Sequence, residues 1–206
     1  MMLTKSFKSI FEKRFNLCLK SSFAEQKHLK IGKNNITVKT DTVTARIDFT
    51  YLNNLRAYGT VVVVKSPKLT LDIDCFKPPY KSNLPNAEYI YCMSTMGEKD
   101  GCPLLPTTED GIDKTCNLFI NKLNNIYLPT IFNLSEISKE LVYDVIRNPK
   151  CYSYPFLIVL LAMNKNKLSR ENVDSSIILN EKMLGFSSDK EIKLRFNAEL
   201  FNLYYG

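Results

Sequence analysis

The 206 residues predict an α+β protein: an N-terminal helix, an antiparallel β-meander, then a C-terminal array of about four helices. Three observations carry that reading. Apolar residues recur at helical spacing over residues 3–21, alternate with period two from about residue 35 to 95, and return to helical spacing beyond about 107. The connections between the alternating segments are short, which favours an antiparallel sheet with one buried and one wet face. No sequence repeat or low-complexity tract interrupts the pattern. The expected organisation is one compact domain, 1–206, with a helix-plus-sheet part at 1–100 and a helical part at 107–206. The Gly- and Pro-bearing segment MGEKDGCPLLPTTEDG, Met96–Gly111, stands between the two parts.

In the first helix, Leu3, Phe7, Ile10, Phe11, Leu17 and Cys18 form the expected stripe, with Phe15 at its edge. In NITVKTDTVTARIDFTY, Val43, Ala45, Ile47, Phe49 and Tyr51 point one way and Thr44, Arg46, Asp48 and Thr50 the other. Asn53–Asn54 marks a turn, and YGTVVVVKSP, KLTLDIDCF and AEYIYCMST read as three further strands. In KLTLDIDCF that alternation sends Leu69, Leu71 and Ile73 inward and leaves Thr70, Asp72 and Asp74 on the wet face.

Ile112, Cys116, Phe119, Ile120 and Leu123 form the stripe of the next helix, which Pro129 is expected to stop. NLSEISKELVYDVIRNP is expected to start at an Asn133/Glu136 capping box and to end before Pro149. YPFLIVLLAM is apolar nearly all round and reads as a central helix, too short to span a membrane. SRENVDSSIILNEKMLG should be a helix ending at Gly185, and Ser188 with Glu191 should cap the last one.

Composition bounds the chemistry. The net charge of +7 is concentrated at the start: residues 1–30 hold seven Lys/Arg against two acids, whereas residues 101–206 hold twelve of each. A basic helix of this kind binds nucleic acid, an anionic membrane or an acidic protein face, or is the solvated side of a core helix; the last is the expectation here. Six scattered cysteines without a C-x-x-C, and one histidine, His28, argue against a zinc site and for reduced thiols. The N-terminus lacks the compact apolar core of a secretory signal, so a cytoplasmic protein without membrane association is expected.

Asp72 and Asp74 are the sharpest candidates for chemistry. On a strand their side chains would stand about 7 Å apart on one face, within reach of one divalent ion only with further ligands. No phosphate loop or dinucleotide-binding glycine motif accompanies them. The expectation is therefore no catalytic residue, no metal and no cofactor. With Arg46 and Asp48 the aspartates would form a charged sheet face for a partner. Lys77, Tyr80 and Lys81, in the proline-stiffened CFKPPYKSNLP, would extend it. Nucleic-acid binding by the sheet is disfavoured, because Phe49 and Tyr51 fall on the buried face and the wet face carries acids.

The element order resembles a family. The helix FKSIFEKRF, the meander, TTEDGIDKTCNLFINKLNNIYLPTIFNLSEISKELV and the array opening YPFLIVLLAMNKNK look like small bacterial domains found beside polymorphic-toxin genes, many of them immunity proteins. The resemblance implies a non-enzymatic inhibitor that occludes its toxin's active site or partner surface. The basic charge departs from immunity proteins against basic nucleases and implies a toxin with an acidic face. The alternatives are a nucleic-acid-associated or phage-type accessory protein and, third, a metal-dependent enzyme using Asp72 and Asp74.

Overall fold

The computed structural model describes residues 2–96, 101–173, 175–184 and 189–206, with side chains from residue 7 onward and without those of 175, 177 and 182. The elements are α1 (Met2–Ser22), β1 (Leu29–Ile31), β2 (Asn35–Lys39), β3 (Thr44–Leu52), β4 (Ala57–Lys65), α2 (Pro67–Asp74) and β5 (Tyr91–Ser94). Then follow α3 (Glu109–Lys122), α4 (Leu128–Glu136), α5 (Lys139–Arg147), α6 (Pro155–Lys165), α7 (Ser175–Ile178) and α8 (Lys190–Tyr205). The α+β order is the expected one. The strands form one sheet in the order β1-β2-β3-β4-β5. β1–β2 and β2–β3 are antiparallel, with Ile36 opposite Ile47 and Val38 opposite Ala45. This register puts Ile36, Val38, Val43, Ala45, Ile47 and Phe49 on one buried face, as the alternation requires.

The chain divides into two compact units that interleave along the sequence: residues 1–63 with 93–129, and residues 64–92 with 130–206. In the first, α1 buries Phe11, Phe15 and Leu19, at i, i+4 and i+8. Phe15 is thus the centre of the buried row, where the sequence reading had it at the edge. Ile10 and Leu17, counted in the expected stripe, are exposed at 49% and 63%. Leu3 lies outside the described side chains. The Phe15 ring sits 5.0 Å from Phe49 and 5.1 Å from Phe119, and those two are 5.2 Å apart. Thr108 caps α3 by accepting from the Gly111 N–H at 3.1 Å.

Pro129 does not stop the helical run. A π-turn, Leu123–Tyr127, carries the chain from α3 straight into α4. The wider turn closes with the Leu128 N–H donating to the Leu123 carbonyl, which accommodates the proline just inside the new helix.

In the second unit, α6 is buried along nearly its whole length, as its composition demands. Asn133 and Glu136 belong to α4, so they do not open α5; Ser138 stands at that helix's N-cap. Asn133 instead binds the corner together. Its Nδ2 donates to Asp144 Oδ2 at 2.9 Å and its Oδ1 accepts from Ser138 Oγ at 2.9 Å. The segment expected as one helix before Gly185 is broken into a 3₁₀ turn (Arg170–Asn172), α7 and a second 3₁₀ turn (Glu181–Leu184). Gly185 and Ser188 lie outside the described residues.

KLTLDIDCF is not a strand. Ser66 caps α2 by accepting from the Leu69 N–H at 3.3 Å, and Pro67 takes the first helical position. Leu69 and Ile73 are buried at i and i+4, whereas Leu71, which a strand would have buried, is 66% exposed. The expected AEYIYCMST strand is likewise shorter, limited to Tyr91–Ser94.

Candidate protein-binding surface

The expected charged sheet face does not form as read, because Asp72 and Asp74 stand on a helix and not on a strand. Arg46 and Asp48 stand on the wet side of β3, where Arg46 Nε donates to both Asp48 carboxylate oxygens at 2.8 Å. Pairing along one strand cancels their charge locally, so they offer little field to a partner. Asp72 and Asp74 are on α2, where residues two apart point about 200° away from each other. One ion cannot bridge them. Among the described residues no group of three or more His, Cys, Asp or Glu side chains is arranged to hold a metal.

The CFKPPYKSNLP loop turns its aromatics inward. Tyr80 is only 9% exposed, packed against Tyr154 and Phe196 with centroids at 5.8 and 5.7 Å. Its hydroxyl donates to Asn197 Oδ1 at 2.9 Å. Burial raises its pKa well above the ordinary tyrosine value. Phe76 meets Tyr204 at 6.2 Å. Of the three residues expected to reach a partner from this loop, Lys77, held in the left-handed region at φ 49°, and Lys81 are exposed. His28 is exposed in the turn before β1.

The sequence reading missed a buried polar cluster built on α8. Lys193, Asn197 and Phe201, at i, i+4 and i+8, are the buried residues of that helix. The Lys193 ammonium donates to Asn83 Oδ1 at 3.0 Å and to the Leu184 carbonyl at 2.9 Å, and lies 5.0 Å from the Tyr80 ring. Burial lowers its pKa and the Asp189 carboxylate opposes that shift. The signal in the sequence was the phase of Lys193 and Asn197 with Phe201. Asn83, Leu184 and Tyr80 tie this cluster to the interior, so it organises the fold.

The outward-facing feature is α1. Ile10 and Leu17 are two helical turns apart on the side opposite Phe11, Phe15 and Leu19. Lys13 and Lys20 flank them on one side and Arg14 on the other. Asn16 fixes the neighbourhood: its Nδ2 donates to the Gly32 carbonyl at 2.6 Å and to the Lys33 carbonyl at 3.2 Å. The β1–β2 turn is thereby held against the helix. A surface groove of about 410 Å³ results, lined by Ser9, Glu12, Lys13, Asn16, Leu17 and Lys33. Its single acid is already engaged, since Glu12 Oε1 accepts from the Tyr58 hydroxyl at 3.3 Å and lies 3.8 Å from Lys8 Nζ. Ile10 and Leu17 are left facing outward with Lys13 and Lys20 along one side, while on the other Arg14 is paired with Asp113 and Glu109 stands close to Ile10. No helix among the described residues is long and apolar enough to cross a membrane. No protein-family model, curated protein or solved structure matches this chain.

Proposed function

We propose that the chain is a non-enzymatic protein-binding inhibitor, an immunity protein that neutralises a bacterial toxin by covering its active site or partner surface. The contact is the outer face of α1. One observation supports the reading: Ile10 and Leu17 are exposed in line on a helix whose other face buries Phe11, Phe15 and Leu19, with Lys13 and Lys20 exposed along one side of them. The fitting occupant has apolar side chains flanked by carboxylates. The apolar centre favours a protein over nucleic acid, because phosphates reward the lysines and give nothing to Ile10 or Leu17.

The test is co-expression with the product of the reading frame directly upstream, scored by cell survival and by calorimetry of the purified pair. Ile10→Asp with Leu17→Asp should weaken the complex roughly tenfold or more while Tm barely moves. Lys13→Glu with Lys20→Glu should slow association and flatten its salt dependence. Undiminished protection by both variants would rule out this face. Sub-micromolar DNA binding at about 150 mM salt would favour the nucleic-acid reading instead.

A further inference from the structure

α1 and α3 meet along a seam marked at three points. Arg14 Nη2 lies 3.6 Å from Asp113 Oδ1 at the surface, and the rings of Phe15 and Phe119 are 5.1 Å apart in the interior. At the same seam, Cys18 and Cys116 stand on the facing sides of the two helices, with Cys18 a direct side-chain neighbour of the Cys116 thiol. Asp113, Cys116 and Phe119 occupy successive turns along one side of α3. Arg14, Phe15 and Cys18 present the matching side of α1. Two cysteines 98 positions apart, which no sequence spacing would pair, are therefore neighbours.

We propose that Cys18 and Cys116 form a redox-modification site, closed to an interhelical disulfide by a two-electron oxidant such as hydrogen peroxide. The order of events follows from access. Cys18 is half-buried and Cys116 is 1% exposed, so the oxidant meets Cys18 first. The Cys18 sulfur attacks one peroxide oxygen, the O–O bond breaks, and the departing hydroxide takes the thiol proton to leave as water. Cys18 is then a sulfenic acid. The Cys116 sulfur attacks the Cys18 sulfur, the S–O bond breaks, and the hydroxyl leaves with the Cys116 proton as a second water. The thiols together lose two electrons and the peroxide gains them. Burial, reinforced by the neighbouring Cys18 and Asp113 and opposed by Arg14, pushes the Cys116 thiol up to about 12. Cys116 is therefore not the thiol that reacts first with the oxidant, and its attack on Cys18 depends on the two sulfurs being held side by side.

The consequence is mechanical. The cross-link closes the chain between residues 18 and 116 and fastens α1, which carries the outward apolar and basic face, onto α3. A loop of that length constrains the unfolded chain strongly. The site stands whether or not that face binds a toxin.

The experiment treats the full-length protein with hydrogen peroxide, blocks free thiols with N-ethylmaleimide and digests with trypsin without reductant. The expected product is one cross-linked species joining Phe15–Lys20 to Thr115–Lys122. Tm should rise by several degrees on oxidation and fall back with dithiothreitol. Cys18→Ser and Cys116→Ser should each abolish both effects, whereas Cys75→Ser, at an exposed thiol outside the seam, should leave them intact. Oxidation of Cys18 to sulfinic acid with Cys116 recovered as its maleimide adduct would overturn the proposal. So would a cross-link through any other cysteine, or a Tm unchanged by formation of this one.

Discussion

The interiors of the two compact units are held by different physics. In the first, α1 meets the sheet and α3 through Phe11, Phe15, Phe49 and Phe119, with rings 5.0 to 5.6 Å apart and no polar group required among them. In the second, α8 turns Lys193 and Asn197 inward to meet Asn83, Leu184 and the Tyr80 hydroxyl. Apolar contact is non-directional and scales with area. A buried hydrogen-bond cluster is directional, and removing one member strands the others. The first interior should therefore respond to lost volume and the second to lost atoms.

The largest expected effect breaks the aromatic interior. Phe119→Ala should cost about 3–5 kcal/mol by chemical denaturation, and Phe119→Leu far less because most of the volume returns. Equal losses from both would mean that ring geometry, and not filled volume, holds this unit. The polar interior gives the next effect. Tyr80→Phe keeps the ring and removes one oxygen, yet it should cost about 1–3 kcal/mol because Asn197 Oδ1 loses its donor. A neutral Tyr80→Phe would show the cluster to be incidental.

Alkaline pH sharpens the contrast further. Burial raises the pKa of Tyr58, Tyr80 and Tyr152 above the ordinary value of 10.0. The folded state therefore holds these protons more tightly than the unfolded chain does. Their contribution is complete below about pH 10 and is lost as pH rises through the raised folded values. Tm followed from pH 8 to 11 should fall across the upper part of that window, less steeply in Tyr80→Phe. A flat profile would place these hydroxyls in contact with water.

The smallest effects belong to the outside of each unit. Ile10→Ala with Leu17→Ala, and Asp72→Lys with Asp74→Lys, should each shift folding stability by only about 0.5 kcal/mol per substitution or less. A large loss from the aspartate pair would show the exterior of α2 to be as constrained as its buried Leu69–Ile73 edge.

What sequence pattern could reveal depended on how many interpretations a pattern allowed. The β2–β3 alternation runs long enough that only a strand buries Val43, Ala45, Ile47 and Phe49 together, so the sheet was legible. In LTLDID the apolar set 69, 71, 73 satisfies period two and also contains the helical pair 69 and 73. Ser66-Pro67 was the local signal for the helix, and Leu71 decided it by being left in solvent. The same ambiguity concealed the candidate site. Ile10 and Leu17 entered the core stripe because the N-terminal helix has two apolar rows, and spacing alone does not say which is covered.

Local order was thus determined by the sequence itself: the α+β succession, the sheet's inward face, the buried α6 and the basic bias of the N-terminal helix. These depend on periodicity, propensity and charge within a few turns of chain. Tertiary structure alone decided which row of α1 faces Phe49 and Phe119, that Lys193 finds Asn83 and the Leu184 carbonyl, and that Cys18 lies against Cys116. Each of those is a meeting between residues distant in the chain or a choice between two equally apolar faces. Burial is settled by what packs opposite a side chain, and a periodic pattern holds no record of its partner.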